Sequence, residues 1–208
     1  ASRRWQPSPR QPIRASIIAP RDYRFQFTGD NGGPPVLSPD GKHVVFAIEG
    51  PGGQALWVRS LASEVPRRLG GTENGSFPFW SPDSKHIGFF ASGYIRRVPA
   101  DGGPVIAIAP AKNGRGGTWG RNGTIVFAPA PRDGLYAVAA NGGPARQITF
   151  PSTTGHTTHR WPSFLDDTGQ LLYYATADTL SATANNGIYL SSADGKAGKL
   201  IMTTVGQP

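Results

Sequence analysis

The sequence contains no cysteine, which excludes disulfide bonds, thiolate catalysis and cysteine-based metal sites. It has no apolar run approaching the ~18 residues that a membrane-spanning helix needs. No stretch places apolar residues at helical spacing. Residues 1–12 are polar and rich in proline and do not follow the pattern of a signal peptide. The sequence therefore does not indicate a disulfide-stabilised protein, a thiol enzyme or a helical membrane protein.

What the chain does contain is glycine and proline, 28 and 20 of them among 208 residues. Hydrophobic residues make up a modest 38%. Many turn-forming residues between short apolar stretches are typical of short strands joined by tight turns. The composition thus favours an all-β fold.

One sequence pattern occurs four times: a glycine-rich or aromatic loop, then a turn, then an apolar strand. The turn residues that align the copies are Asp40, Asp83, Asn122 and Asp167, with spacings of 43, 39 and 45 residues. A period near 40 residues with a turn and strands in each copy is typical of β-propeller blades. Asp-Gly and Asn-Gly pairs further along most copies predict additional hairpins. Each copy is therefore predicted to form one four-stranded antiparallel blade.

This pattern predicts a propeller over 31–208, with blades at 31–73, 74–112, 113–157 and 158–208. Residues 1–12 are predicted to be a basic, proline-rich linker or stalk. Residues 13–30 contain apolar and aromatic residues in strand-like alternation. We expect them to supply a latch strand that completes the last blade.

Two phrases carry a family resemblance, Leu37-Ser38-Pro39-Asp40-Gly41-Lys42 and Trp80-Ser81-Pro82-Asp83-Ser84-Lys85. They resemble the TolB-type, WD-like propeller repeats of bacteria. The stretches 28–35, 75–80, 113–119 and 159–162 resemble, more narrowly, the C-terminal extracytoplasmic propellers of bacterial transmembrane serine/threonine kinases. In that family a kinase domain, a membrane span and a proline-rich stalk precede the propeller. The resemblance implies a membrane-tethered sensor domain.

The chain departs from this family in two respects. Family propellers usually have six or seven blades, whereas four are visible here, so we expect part of a larger ring. Open blade faces would then favour an open arc, or self-association of two arcs that complete each other. In the fourth copy Asp166-Asp167-Thr168 stands where the family tends to have Pro-Asp-Gly, which weakens the turn without changing its register.

Catalysis is not predicted for this chain. It has no glycine-rich phosphate loop, no His-Arg-Asp, no Asp-Phe-Gly and no Gly-x-Ser-x-Gly motif. His156 and His159 lack the partners of a metal site, so neither a metal nor a cofactor is predicted. The net charge of +8 lies partly in residues 1–24, and nucleic-acid binding is not predicted.

The loops that enter the innermost strands of a propeller line one mouth of its central channel. Six residues of these loops are the candidate ligand-binding rim: Ser76, Phe77, Arg115, His159, Arg160 and Trp161. Such a basic and aromatic rim suits an acidic peptide, a glycan or a carboxylate. The alternative is that these side chains pin the loops to neighbouring blades. Trp80, Trp119 and Phe164 are predicted to be core residues between blades.

The sequence therefore predicts a non-catalytic binding or sensing module with a protein, peptide or glycan partner, placed outside the cytoplasm. Two alternatives remain open. One is the substrate-gating propeller of a prolyl-oligopeptidase-like peptidase, and the other is a TolB-like scaffold that binds envelope proteins. The domains encoded beside this one would separate the three.

Overall fold

The computed structural model describes residues 16–27, 32–177, 185–195 and 198–204. Residues 1–12, predicted to be a stalk, lie outside the described residues. Within the described ranges the chain forms seventeen β-strands, one three-residue 3₁₀ helix and no α-helix. The strands form four antiparallel sheets, and the predicted all-β fold is confirmed.

From the innermost strand outwards each sheet follows the same meander, in which strands adjacent in sequence are hydrogen-bonded neighbours. The first sheet, called blade 1, contains β1 (Arg24–Phe25), β2 (Val36–Leu37), β3 (His43–Gly50), β4 (Gly53–Ser60) and β5 (Arg67–Arg68). In this sheet β1 is an additional strand beside β3. The second, called blade 2, contains β6 (Ser76–Trp80), β7 (His86–Ala91), β8 (Tyr94–Pro99) and β9 (Ile106–Pro110).

Blades 3 and 4 repeat this plan, with the 3₁₀ helix (Pro151–Thr153) between them. Their strands are β10 (Gly117–Trp119), β11 (Thr124–Phe127), β12 (Tyr136–Ala139) and β13 (Arg146–Gln147), then β14 (Thr158–Phe164), β15 (Gln170–Thr176), β16 (Gly187–Ser192) and β17 (Lys199–Thr203). The innermost strands, which face the propeller axis, are β2, β6, β10 and β14.

The repeated turn between the first two strands of a blade is held by its acidic residue. In blade 1, Asp40 Oδ1 accepts hydrogen bonds from Ser38 Oγ at 2.6 Å and from the Lys42 amide at 3.1 Å. Asp83 makes the same pair of contacts in blade 2. These donors stabilise the carboxylate, so they lower the pKa of Asp40 and of Asp83 below the usual value. The turn phrase therefore fixes the hairpin locally.

Blade 4 keeps the register of this hairpin but changes the turn. Phe164 still pairs with Leu171, as Trp80 does with Ile87. The carboxylate that caps the turn, however, belongs to Asp166, whose Oδ1 accepts from the Thr168 amide at 2.9 Å. Asp167, aligned with Asp40 in the sequence, instead forms an ion pair with Arg121 of blade 3 at 2.7 Å. Blade 4 lacks the Ser-Pro that precedes the turn residue in blades 1 and 2. Its residue with a left-handed φ is Gly169, one position later than the equivalent Gly41 and Ser84, and the carboxylate that caps the turn is Asp166 instead of Asp167.

Apolar side chains fill the space between consecutive blades. Three clusters of buried residues lie between blades 1 and 2, 2 and 3, and 3 and 4, and each draws residues from both partners. Phe89, Phe127 and Leu171 are among the fully buried side chains. No cluster of the described residues joins blade 4 back to blade 1. The four blades thus form a partial propeller.

The N-terminal segment covers the free face of blade 1. Val44, Phe46 and Ile48 point away from blade 2, yet they are almost completely buried. Ile17, Tyr23 and Phe25 pack against them, and the rings of Phe25 and Phe46 meet edge to face at 5.4 Å. The segment therefore caps an end of the blade array, as terminal units of repeat proteins commonly do.

This placement corrects the latch prediction. Strand β1 pairs with β3 of the first blade, through Arg24 with Glu49 and Phe25 with Ile48, and not with the last blade. The reason is that β2 pairs with only Val44 and Val45 at the start of β3 and leaves the rest of that edge open. Strand β1 fills the remaining part of the edge, so blade 1 has two short inner strands where the others have one.

The cap predicts how stability depends on the N-terminal segment. Phe25→Ala removes a ring that covers Phe46, and we expect it to lower the free energy of unfolding by about 1–3 kcal/mol, less than for a fully buried aromatic because Phe25 is only partly buried. Phe27→Ala is the control, because Phe27 is 43% exposed and stacks on Phe25 without belonging to the cluster around Phe46. Urea titrations of both variants test this. Equal stability of the two would contradict the assigned cap.

Candidate functional site

A cavity lies at the propeller axis, with a volume of about 550 Å³. All four innermost strands and their turns contribute to its wall. Its lining is mainly apolar and aromatic and includes Leu37, Phe77, Trp80, Trp119, Trp161, Phe164 and five prolines. A concave, mostly apolar cavity with a few polar groups is the usual form of a ligand site. It is the candidate functional site.

Two aromatic residues of the cavity wall have unusual backbone conformations. Phe77 and Trp161 have φ angles of 46° and 51°, in the left-handed region that side chains rarely adopt. Each precedes a proline and sits at a bulge, where β6 and β14 gain an extra residue against their partner strands. Proline is compatible with such a bulge because no ladder donor is needed there. Backbone strain of this kind tends to occur at functional sites.

The same contact with the preceding blade holds each bulge in place. The Phe77 amide donates to the carbonyl oxygen of Gly32 in blade 1 at 3.0 Å, and the Trp161 amide donates to that of Arg115 in blade 3 at 2.9 Å. A β-carbon on Gly33 would lie 3.0 Å from the Phe77 α-carbon, and one on Gly116 would lie 3.0 Å from the Trp161 α-carbon. Glycine is needed in these loops because the next blade's bulge packs directly on them.

Charged groups stand at one part of the cavity wall. The position just before the aligned turn residue lines the cavity in all four blades. It is a proline in blades 1 and 2 (Pro39 and Pro82) but a charged residue in blades 3 and 4 (Arg121 and Asp166). Arg121 pairs with Asp167, and both side chains are largely exposed. The Thr168 hydroxyl, with its amide, lowers the pKa of Asp166, which is ionised at neutral pH. The wall of the cavity therefore carries two carboxylates and one guanidinium.

Only two of the six predicted rim residues, Phe77 and Trp161, line the cavity. Arg115 is buried, and its guanidinium donates to Asn113 Oδ1 at 2.6 Å and to the Gly114 carbonyl at 3.1 Å while lying 5.9 Å from the Phe77 ring centre. This contact fits the alternative role of pinning a loop to the neighbouring blade.

The other three rim candidates also lie off the cavity wall. Arg160 is half-buried, with its guanidinium 5.3 Å from the centre of the Trp161 ring. Ser76 is buried and donates weakly to the Phe90 carbonyl at 3.4 Å. His159 is buried beside Thr149, whose hydroxyl lies 2.8 Å from Nδ1. The structure thus brings the aromatic residues of the predicted rim to the cavity but not the basic ones.

His159 belongs to a buried cluster of aromatic rings within blade 4. His159 Nε2 lies 3.3 Å from His156 Nδ1, and His156 Nε2 lies 3.3 Å from the Tyr189 hydroxyl. The rings of His159 and Tyr173 are 4.8 Å apart. Burial lowers the pKa of His159 to about 3 and also lowers that of His156, while it raises the pKa of Tyr173 to about 12. Both histidines are therefore neutral at pH 7.

Neutral histidines can bind metals, usually together with further protein ligands. Among the described residues no group of three or more histidine, cysteine, aspartate or glutamate side chains could hold a metal ion. The cluster is best understood as a buried hydrogen-bond network that joins the 151–159 segment to β16.

Sequence reasoning assigned Trp80, Trp119 and Phe164 to the core between blades. They do pack there, but each also lines the axial cavity. It missed Arg121 and Asp166. The available signal was the repeat itself, because these charged residues stand where blades 1 and 2 have Pro39 and Pro82.

Comparisons with protein-family models and with curated proteins find no match. Solved structures do match. A putative TolB from Agrobacterium tumefaciens has 16% identity and a TM-score of 0.64, over 78% of this chain and 62% of the other. TolB from Acinetobacter baumannii has 22% identity and a TM-score of 0.57, over 81% and 42%. The fold is that of a TolB-like β-propeller.

The propeller domain of the Trilobed protease from Pyrococcus furiosus, described as having an open velcro topology, matches at 18% identity and a TM-score of 0.56, over 82% of this chain and 58% of the other. The TolB-like chain described here spans less than two thirds of each of these three structures. At these identities the likeness establishes the fold alone.

The packing of the bulges predicts a difference between two glycine substitutions. Gly116 and Gly123 both have left-handed φ angles, but only Gly116 contacts a neighbouring blade, since a β-carbon on Gly123 would meet nothing within 4 Å. We expect Gly123→Ala to cost about 1 kcal/mol from backbone strain alone. Gly116→Ala should cost at least about 2 kcal/mol because Trp161 must also move. Thermal unfolding of both variants measures the difference, and equal losses would contradict the contact.

The buried histidines predict acid sensitivity. Their folded-state pKa values lie below the ordinary value of 6.5, so the unfolded chain binds more protons as the pH falls below 6.5. The stabilisation is therefore present above pH 6.5 and is lost towards pH 3. His159→Asn retains a hydrogen-bonding amide but does not titrate. Between pH 7 and about pH 4.5 we expect the free energy of unfolding to fall by about 2–3 kcal/mol less in the variant than in the wild type, as measured by urea unfolding. Parallel pH profiles would exclude His159 as the source.

Proposed function

We propose that the chain is a non-catalytic ligand-binding module whose axial cavity receives an extended, proline-containing peptide segment. The observation that carries this proposal is the pair of strained aromatic residues, Phe77 and Trp161, in a cavity lined by all four innermost strands. Several aromatic rings in a cavity with few hydrogen-bonding groups suit the flat faces of proline residues, as in other proteins that bind polyproline helices.

The charge of the cavity wall indicates which charge the bound peptide can carry. Asp166 and Asp167 outnumber Arg121, and neither Arg115 nor His159 lines the cavity. An acidic peptide would therefore meet net repulsion at this wall. We therefore propose a neutral or basic peptide in place of the acidic peptide that was one of the three ligand types suggested by the sequence.

We propose further that the module is extracytoplasmic and that it senses a ligand for a membrane-tethered serine/threonine kinase. The support is the likeness of its repeat phrases, and of the predicted stalk at 1–12, to that family. No helix in the described ranges has the length and apolar character that a membrane crossing requires. A kinase domain and a span encoded upstream would support this assignment, whereas a hydrolase domain would favour the peptidase alternative.

The peptide proposal is tested by calorimetric titration of an oligoproline-containing peptide against Phe77→Asn and Trp161→Asn. Asparagine tolerates a left-handed backbone, so each change removes the ring while sparing the bulge. Loss of one stacking ring should weaken the affinity at least about tenfold, or ~1.4 kcal/mol. Tyr94→Asn is the control, because Tyr94 is an exposed aromatic residue outside the cavity. Affinity that is unchanged in both cavity variants would refute the proposed site.

A further inference from the structure

One residue breaks an apolar position of the repeat. In blade 1, Val58 on the third strand pairs with Val45 and faces blade 2. In blade 3 the equivalent pair is Ala137 with Val126, which faces blade 4. In blade 2 the same position holds Arg97, paired with Gly88. A half-buried arginine thus occupies a place that its neighbours fill with small apolar side chains.

Each of these three residues lines a groove between its blade and the next, on the side of the repeated turns. Val58 lines the groove between blades 1 and 2, and Ala137 lines the one between blades 3 and 4. The groove between blades 2 and 3 has a volume of about 440 Å³ and is lined by Arg97, with His86, Trp119 and Arg121 around it. At this third-strand position the outer two grooves have Val58 and Ala137, whereas the central groove has Arg97.

No carboxylate of the described residues forms an ion pair with the guanidinium of Arg97. Its Nε is buried and has no hydrogen-bond partner within the described part of the chain. A buried donor without a partner costs stability that an apolar residue would not. Packing within the protein therefore does not explain why arginine stands at this position. Because Nε itself is enclosed, a carboxylate in the groove would bind the terminal nitrogens of the guanidinium.

The charges around the groove limit the ligand. Arg97 and Arg121 are cationic, and Asp83 is the acidic residue of the lining. The Asp83 carboxylate is already engaged by the Ser81 hydroxyl at 2.6 Å and the Lys85 amide at 3.0 Å. It remains a negative charge beside the groove, and Arg121 is already paired with Asp167. Two carboxylates thus offset the two guanidinium groups, so a dianion would leave more uncompensated negative charge than a monoanion. Arginine binds carboxylates through two parallel hydrogen bonds from its planar fork.

We propose that the groove between blades 2 and 3 binds a carboxylate group, held by the guanidinium of Arg97 beside the indole of Trp119. The carboxylate is that of a small organic acid or the terminus of a peptide. Trp119 and Arg121 line both this groove and the axial cavity, so the carboxylate site adjoins the cavity. It does not depend on the peptide proposed for the cavity, because a free acid suffices to occupy it.

The direct test is a titration of the ¹⁵N-labelled chain with acetate, followed through the Arg97 Nε–Hε resonance, which is assigned by its absence in Arg97→Lys. A saturable shift is expected in the wild type, with at least tenfold weaker acetate binding in Arg97→Ala. Arg96→Ala is the matched control, since it removes the same charge from the adjacent residue, whose guanidinium contacts the Ala91 carbonyl and Tyr94 away from the groove. A shift that is linear in acetate, or one that both variants retain, overturns the proposal.

Titrations with other anions distinguish the possible sources of the carboxylate. Inorganic phosphate should bind more weakly than acetate, and tighter binding of phosphate would overturn the carboxylate assignment. A tripeptide with a free C-terminus that binds more tightly than both acetate and its amidated form would identify a peptide terminus. Equal binding to acetate and to the free tripeptide would identify a small acid.

A stability measurement separates binding from a structural role. Arg97→Leu restores the apolar character that Val58 and Ala137 have at this position, and we expect it to raise the melting temperature by roughly 2–4 °C while abolishing acetate binding. A marked loss of stability in Arg97→Leu would show that Arg97 serves the fold, and would contradict the proposal.

Discussion

Every blade of this chain has two apolar faces, and a sheet of four short strands cannot bury them alone. The structure depends on covering those faces in succession. Blade 2 covers blade 1, blade 3 covers blade 2 and blade 4 covers blade 3, while residues 16–27 cover the outward face of blade 1. At the other end, Ile201 and Met202 of blade 4 remain more than half exposed to solvent. The array is therefore capped at its start by its own chain.

The same requirement shapes the axial cavity. Blades can approach closely at the axis only where one of them has no side chain, and here blades 1 and 3 supply glycines to the aromatic bulges of blades 2 and 4. The bulge in turn forces Phe77 and Trp161 into the left-handed region and aims them at the cavity. Packing between blades thus places the two aromatic rings that the proposed function uses, and the strain is held by backbone hydrogen bonds from the preceding blade.

The sequence was sufficient for features set by local chemistry. The turn residue Asp40, the hairpins and the period of the repeat follow from short-range preferences, and with them came the all-β propeller. Features set by non-local geometry were not accessible. The pairing of β1 with β3 depends on how much of an edge β2 leaves open, and the direction of the Arg115 side chain depends on hydrogen-bond acceptors that the folded loop provides.

Departures from the repeat deserve more weight than the repeat itself in locating function. A propeller built of equivalent blades presents equivalent surfaces, so equal residues at equal positions are explained by packing. Arg121 and Asp166 stand at the repeat position that Pro39 and Pro82 occupy in blades 1 and 2. Arg97 stands at the position that Val58 and Ala137 occupy in blades 1 and 3. These substitutions place charge where the fold is satisfied by apolar residues. Arg97 lies in blade 2, and Arg121 and Asp166 lie in the turns of blades 3 and 4. Trp119 and Arg121 line both the cavity and the groove, so these departures from the repeat adjoin one another.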